Sequence, residues 1–269
     1  MNVRTLFISL LCVCFAGKVQ AQYIPSAYPI EIVVHRGANR LAPENTEASA
    51  FAALDHGANW VEVDVRTTRD RRLYNLHDET LDRTTNGTGK LSDWMAADVD
   101  TLDAGSWFGP AFKGLHVPTI AAMLDALKGK ANVFFDVKRG TPVADLVKLV
   151  RDKGFSDNSF FWFADPELLK EFVRIAPEMK VKVNASTIER LQEWMTVCTP
   201  SYVEVTADAI TPAFRTFCHE HHVKIMAAIQ NASEQDYLNA IAARPDLVNL
   251  DQPELFVRVL GDPSLEHSR

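Results

Sequence analysis

Short apolar stretches recur along the chain between positions 31 and 251, and amphipathic runs separate most of them. The stretches predict strands at residues 32–35, 60–65, 133–137, 160–163, 180–183, 202–205, 224–228 and 248–251. Residues that open helices stand between them: Asn45-Thr46 before a run ending at Gly57, Thr141-Pro142, Asp165-Pro166, Thr187, Thr211-Pro212 and Ser233. Strand alternating with helix is the signature of an α/β fold built on a parallel sheet. Eight such strands fit a closed (β/α)8 TIM barrel, whose chemistry sits at the C-terminal ends of the strands. A doubly wound open sheet is the alternative, but no G-x-G-x-x-G or P-loop sequence follows any strand.

The second strand, Trp60-Val61-Glu62-Val63-Asp64-Val65, carries the sharpest signal. Alternation puts Val61, Val63 and Val65 on one face and both carboxylates on the other. Two like charges on one face mean either a wet antiparallel edge or a cation held between them. No crossover helix fits between Val65 and Leu73-Tyr74-Asn75-Leu76-His77, so the chain is expected to return as an extra hairpin strand. A two-residue turn at Arg69-Asp70 or Asp70-Arg71 sets His77 opposite Glu62 or Asp64, on the carboxylate face, whereas a three-residue loop turns it away. Residues 79–118 then form an insertion long enough to be functional, placed directly after His77 and able to cover the site.

Composition bears on address and partner. Arg4 precedes an apolar run from Leu6 to Gly17, and Val19-Gln20-Ala21 offers small residues where a signal peptidase cuts. Residues 1–21 are therefore expected to be a secretory signal and residues 22–269 a single domain, exported to a periplasm or secreted. No stretch reaches the ~20 apolar residues of a membrane span. Of the 28 Lys and Arg, two leave with the signal, so 26 basic residues face 35 acidic ones. That balance disfavours nucleic acid and anionic membranes, and a small substrate is the expected partner, with no protein partner predicted. Cys12 and Cys14 also leave with the signal, while Cys198 and Cys218 remain and their pairing is left open.

Other strand ends add candidate chemistry. The first strand ends Val34-His35-Arg36-Gly37, which offers an imidazole and a guanidinium fork at the catalytic end of a barrel. Phe134-Phe135-Asp136-Val137-Lys138 places Asp136 and Lys138 on one face, with Asp136 as a third oxygen ligand or the two as a structural pair. Asn45 or Thr46 reads as a helix cap, with Glu44 a loop residue beside it. Three carboxylates with two histidines, an Arg and a Lys suit metal-assisted attack on a phosphoryl group, with the histidines as acid and base.

In order and spacing, His35-Arg36-Gly37, Pro43-Glu44-Asn45-Thr46, Glu62-Val63-Asp64-Val65 and His77-Asp78 resemble the glycerophosphodiester phosphodiesterase family. Trp107-Phe108, Val117-Pro118-Thr119 and, weakly, residues 246–253 extend the likeness over nearly the whole mature chain. The resemblance implies a TIM barrel with an inserted segment that hydrolyses glycerophosphodiesters to an alcohol and glycerol 3-phosphate. It implies His35 and His77 as the acid/base pair, and Glu62 and Asp64 on one divalent cation, Mg2+ or Ca2+. Arg36 and Lys138 would contact phosphate, Asp136 would complete the ligands, and Glu44 would lie at the metal or substrate. The chain departs from the family pattern at Asp136, where Glu is usual, and at residues 161–164 and 227–230, which lack the usual Ser-Phe and Trp-Thr-Val-Asn. Two other outcomes share these residues: a lyase of phospholipase D type that forms a cyclic phosphate, and a non-catalytic protein that binds phosphorylated head groups.

Overall fold

The computed structural model describes residues 30–261, so the expected signal at residues 1–21 lies outside the described residues. Nine strands form in chain order: β1 (Glu31–Val34), β2 (Trp60–Thr67), β3 (Leu73–Asn75), β4 (Asn132–Val137), β5 (Ser159–Phe163), β6 (Lys180–Asn184), β7 (Tyr202–Val205), β8 (Lys224–Ile229) and β9 (Leu247–Leu250). All but β3 pair in parallel, and because β1 pairs with both β9 and β2 the sheet closes into an eight-stranded barrel. This is the (β/α)8 architecture anticipated from the alternation, with β3 lying antiparallel on β2.

Helices α1 (Glu47–Asp55), α2 (Ala96–Val99), α3 (Ile120–Leu127), α4 (Val143–Lys153), α5 (Pro166–Ile175), α6 (Ile188–Met195), α7 (Pro212–Glu220), α8 (Glu234–Ala243) and α9 (Pro253–Leu260) complete the chain. The anticipated helix starts hold: the Thr46, Asp165, Thr187, Thr211 and Ser233 side chains each accept from a backbone N–H of the first turn. Helices α2, α3 and α9 are not anticipated. Helix α3 is a short, nearly uncharged run whose start is marked only by Thr119 accepting from Ala122, and α9 follows a Gln252 that makes no side-chain cap.

Two apolar layers flank the barrel wall. Outward residues such as Val61, Val63, Val65, Phe135 and Phe161 pack under the helices. Inward residues Val33, Trp60, Phe134, Phe160, Tyr202, Met226 and Leu247 fill the barrel interior as a plug. Phe134 and Phe160 stack with centroids 4.6 Å apart. The insertion has its own small core, in which Leu81, Leu91, Val99 and Leu102 close over Tyr74 and Leu76. Cys198 and Cys218 are buried free thiols, which answers the open pairing.

The hairpin differs from both expected registers. Val65 lies opposite Asn75, Arg66 opposite Tyr74 and Thr67 opposite Leu73. Thr68 N–H donates to Arg72 O at 3.1 Å, which leaves the three-residue loop Arg69-Asp70-Arg71, with Arg71 left-handed at φ 67°. Continued alternation would carry His77 off the carboxylate face. The strand instead ends at Asn75, Leu76 turns into the insertion core, and His77 returns to the barrel mouth.

Candidate active site

Above the aromatic plug the inward row turns polar. Lys182 pairs with Glu204, and the Lys182 ammonium stands 5.0 Å over the Phe134 ring and 5.2 Å over Trp162. Asn249 Nδ2 donates to Glu204 Oε1 and to Glu62 Oε2, each at 3.1 Å. The plug thus carries a hydrogen-bonded floor, and Glu62 is its edge.

Glu62, Asp64 and Asp136 each present an oxygen such that these atoms lie within 4.8 Å of one another. The β2–β4 register explains the convergence, because it pairs Asp64 directly with Asp136, and paired residues of parallel strands share a face. Burial pushes the Glu62 carboxyl well above the usual range, and the charges of Asp64 and Asp136 add to it. Burial likewise raises Asp136, with Asp64 adding and Lys138 opposing. Burial acts the same way on Asp64, but Lys138, His77 and Arg36 outweigh it and hold that carboxyl low. Lys138 Nζ bridges Asp64 Oδ1 at 2.6 Å and Asp136 Oδ2 at 2.7 Å, so the structural pair considered from sequence exists and extends to Asp64. Asp136 Oδ1 is buried with no hydrogen-bond partner.

Both imidazoles are anchored through Nδ1. His35 Nδ1 lies 2.8 Å from Asp251 Oδ1, and its Nε2 is 3.7 Å from Glu62 Oε1. Burial disfavours the imidazolium, yet Glu62 and Asp251 together raise His35 above its ordinary pKa. His77 Nδ1 lies 2.8 Å from Asp78 Oδ1, and Arg66 Nε donates to the His77 carbonyl at 2.8 Å. In both rings Nδ1 is thus engaged by a carboxylate, and among the described residues neither Nε2 makes a hydrogen bond.

Asp251, Asp78 and Arg83 are not assigned roles from sequence. Asp251, one residue beyond β9, also accepts from Asn39 Nδ2 and from the Asn231 backbone. Its signal was a carboxylate just past a buried strand, which is where barrel chemistry collects. Replacing it by Asn should lower the pKa of His35, since a negative neighbour that favours the imidazolium is lost. NMR titration of the ring protons in chelator-treated protein reads this shift, and activity should fall about 10- to 100-fold.

Arg83 reaches back from the insertion to grip Glu44 with Nη1 and Nη2, both at 2.8 Å, and Asp78 with Nε at 2.6 Å. Glu44 Oε1 also accepts from Arg36 Nη1 at 3.1 Å. Glu44 thus holds two guanidinium groups and stands outside the three converging carboxylates. Thr46 is the cap, whereas buried Asn45 donates through Nδ2 to Asp64 Oδ2 at 2.7 Å.

The turn carrying Arg36 needs Gly37. Both residues are left-handed, at φ 59° and 75°. A Cβ at Gly37 would meet Ser49 Oγ at 2.5 Å and the Ser49 carbonyl carbon at 2.7 Å, and backbone cannot swing aside. Gly37→Ala should cost about 2–4 kcal/mol and lower the melting temperature by about 5–10 °C, measured by thermal denaturation.

Comparison with known proteins agrees with this geometry. The model of the Glycerophosphoryl diester phosphodiesterase family matches residues 35–231, from the first imidazole to the loop after β8. The chain belongs to this family. A glycerophosphodiester phosphodiesterase from Agrobacterium tumefaciens str. C58, solved as a crystal structure, is 36% identical with a TM-score of 0.81 over 85% of this chain and 99% of its own. A glycerophosphodiester phosphodiesterase of Caldanaerobacter subterraneus subsp. tengcongensis is 32% identical over 156 residues, 56% of this chain and 64% of that protein. One from Bacillus subtilis (strain 168) is 42% identical over 114 residues, 39% of each chain. The matched stretches thus span less than two thirds of these curated relatives. Within this phosphodiesterase family frame, His35, Arg36, Asp136 and Lys138 lie on or just beyond the C-terminal ends of β1 and β4, and Glu62 and Asp64 stand midway along β2.

Proposed function

We propose that this protein hydrolyses glycerophosphodiesters to an alcohol and glycerol 3-phosphate, as an exported enzyme dependent on one divalent cation, Mg2+ or Ca2+. The observation that carries the reading is the convergence of Glu62, Asp64 and Asp136 within 4.8 Å. The donors are hard oxygens, and Asp136 Oδ1 is buried without a partner, so the residues fit such a cation. When bound, the cation draws charge from the phosphoryl oxygens and eases attack on phosphorus. Glu62, Asp64 and Asp136 are its holders, and Glu44 supports them indirectly by fixing Arg36.

The remaining chemistry belongs to the chain itself. Arg36 and Lys138 donate to the phosphoryl oxygens and hold the diester over the floor. Asp251 and Asp78 keep each Nδ1 engaged, so Nε2 of one imidazole takes a proton from the attacking water. A P–O bond forms to that water and the P–O bond to the alcohol breaks. Nε2 of the second imidazole gives its proton to the departing alkoxide.

The reading is tested by incubating mature protein with a panel of glycerophosphodiesters, with and without chelator, and assaying glycerol 3-phosphate. Phosphorus NMR of the product separates hydrolysis, which leaves a monoester, from a cyclising lyase. No release of glycerol 3-phosphate from any diester would sink the proposal. Export rests on the N-terminal pattern of residues 1–21, and sequencing the N-terminus of protein recovered outside the cytoplasm should give Gln22. Among the described residues no helix is long and apolar enough to cross a membrane.

A further inference from the structure

A cavity opens beside the carboxylate cluster and has in its wall Lys138, which bonds Asp64 and Asp136. It has a volume of about 520 Å³ and is lined by Arg66, Glu79, Lys138, Arg139 and Gly140, among others. Arg66 is the next residue after Asp64 on the inward row of β2, so it stands at the rim beyond the carboxylates. Its Nε is fixed on the His77 carbonyl, and among the described residues Nη1 and Nη2 have no partner. Arg139 follows directly after Lys138 and is held only by a 3.3 Å contact from Nη1 to Asp165, with its side chain 73% exposed.

The charges of Asp64, Glu79, Asp136 and Asp78 act on Arg66 without bonding its Nη1 or Nη2, and Asp165 meets Arg139 on one nitrogen alone. Glu79 is its one acidic lining residue, and that carboxylate is already bound to Lys90 at 2.7 Å. The Lys138 ammonium bonds Asp64 and Asp136 and keeps its remaining N–H for the scissile phosphate, so the donors left for this cavity are those of Arg66 and Arg139. A half-buried guanidinium with free terminal nitrogens is costly to maintain unless an anion completes it, and its fork suits a phosphate or carboxylate.

The geometry points to this cavity as a subsite for a second anionic group, a phosphate or a carboxylate, carried by the substrate beyond its scissile phosphodiester. This rests on the phosphodiesterase reading and narrows it to diesters whose alcohol is anionic. A quaternary ammonium head group would meet two guanidinium groups and be disfavoured by like charge.

The test titrates the Mg2+-loaded protein with glycerol 1,3-bisphosphate, 3-phosphoglycerate and glycerol 3-phosphate at fixed ionic strength. The two doubly anionic probes should bind about tenfold more tightly than glycerol 3-phosphate, and which of them leads separates phosphate from carboxylate. Arg139→Gln, on an exposed side chain, and Arg66→Gln should each reduce that preference to about twofold. Equal affinity for all three probes, or a preference untouched by Arg139→Gln, would overturn the subsite even if Arg66→Gln proves unstable. A kinetic arm compares kcat/KM for a glycerophosphodiester of serine with that of choline, expecting the serine diester to lead and Arg139→Gln to shrink the gap. A probe preference without hydrolysis of any diester keeps the subsite and removes the phosphodiesterase reading. Hydrolysis without a probe preference does the reverse.

Discussion

His35→Ala is expected to lower kcat for glycerophosphodiester hydrolysis by about a thousandfold while leaving KM within a few-fold, because proton transfer is lost and the phosphate donors stay. The scaffold should survive the change. Asp251 keeps Asn39 Nδ2 at 2.6 Å and the Asn231 N–H at 2.7 Å, so its carboxylate is not left unpartnered when the ring is removed. His77→Ala should act in the same direction, with Arg83 retaining Asp78 through Nε at 2.6 Å. If the two imidazoles serve one turnover, the double variant should lose little more than either single one, since residues acting as a unit are far from additive. Steady-state kinetics with coupled detection of glycerol 3-phosphate measures all three. Undiminished turnover in His35→Ala would remove the imidazoles from the mechanism.

Chelation should lower turnover by more than about a hundredfold, with recovery on adding Mg2+ or Ca2+. The electrostatics also predict a change in stability. Glu62 and Asp136 are both raised by burial and by neighbouring carboxylates, which outweigh His35 at Glu62 and Lys138 at Asp136. A cation that binds only the folded chain, supplied at about 100 times its Kd, adds about 2.7 kcal/mol. The melting temperature should rise accordingly, by about 5–10 °C. Asp136→Asn separates the two effects. Without metal it should melt no lower than wild type, because repulsion with Asp64 is relieved, yet the increment on adding cation should largely disappear. Differential scanning calorimetry with and without EDTA distinguishes this from a general loss of fold.

Much of the barrel was legible because its strands follow a period of two. Glu62 and Asp64 declare a face by alternation alone, and the β2–β4 register then brings Asp136 beside them. What depended on non-local geometry was not legible. A left-handed Arg71 set the hairpin one residue away from either expected register, and His77 reached the mouth only because Leu76 was drawn into the insertion core. Glu44 lay in a loop whose partners, Arg36 and Arg83, come from both sides of it, so spacing said nothing of its bonds. The same holds for Asp251, whose partner lies 216 positions earlier.

That separation has a consequence for the nascent chain. His35 follows β1 and Asp251 follows β9, and the two strands meet only where the sheet closes on itself. Until that seam zips, the first imidazole lacks the carboxylate that orients it, and long-range pairing of this kind is slow to form. On the proposed mechanism, a chain cut short before position 251 should therefore turn over at least about 10- to 100-fold more slowly, because His35 has lost its Nδ1 anchor.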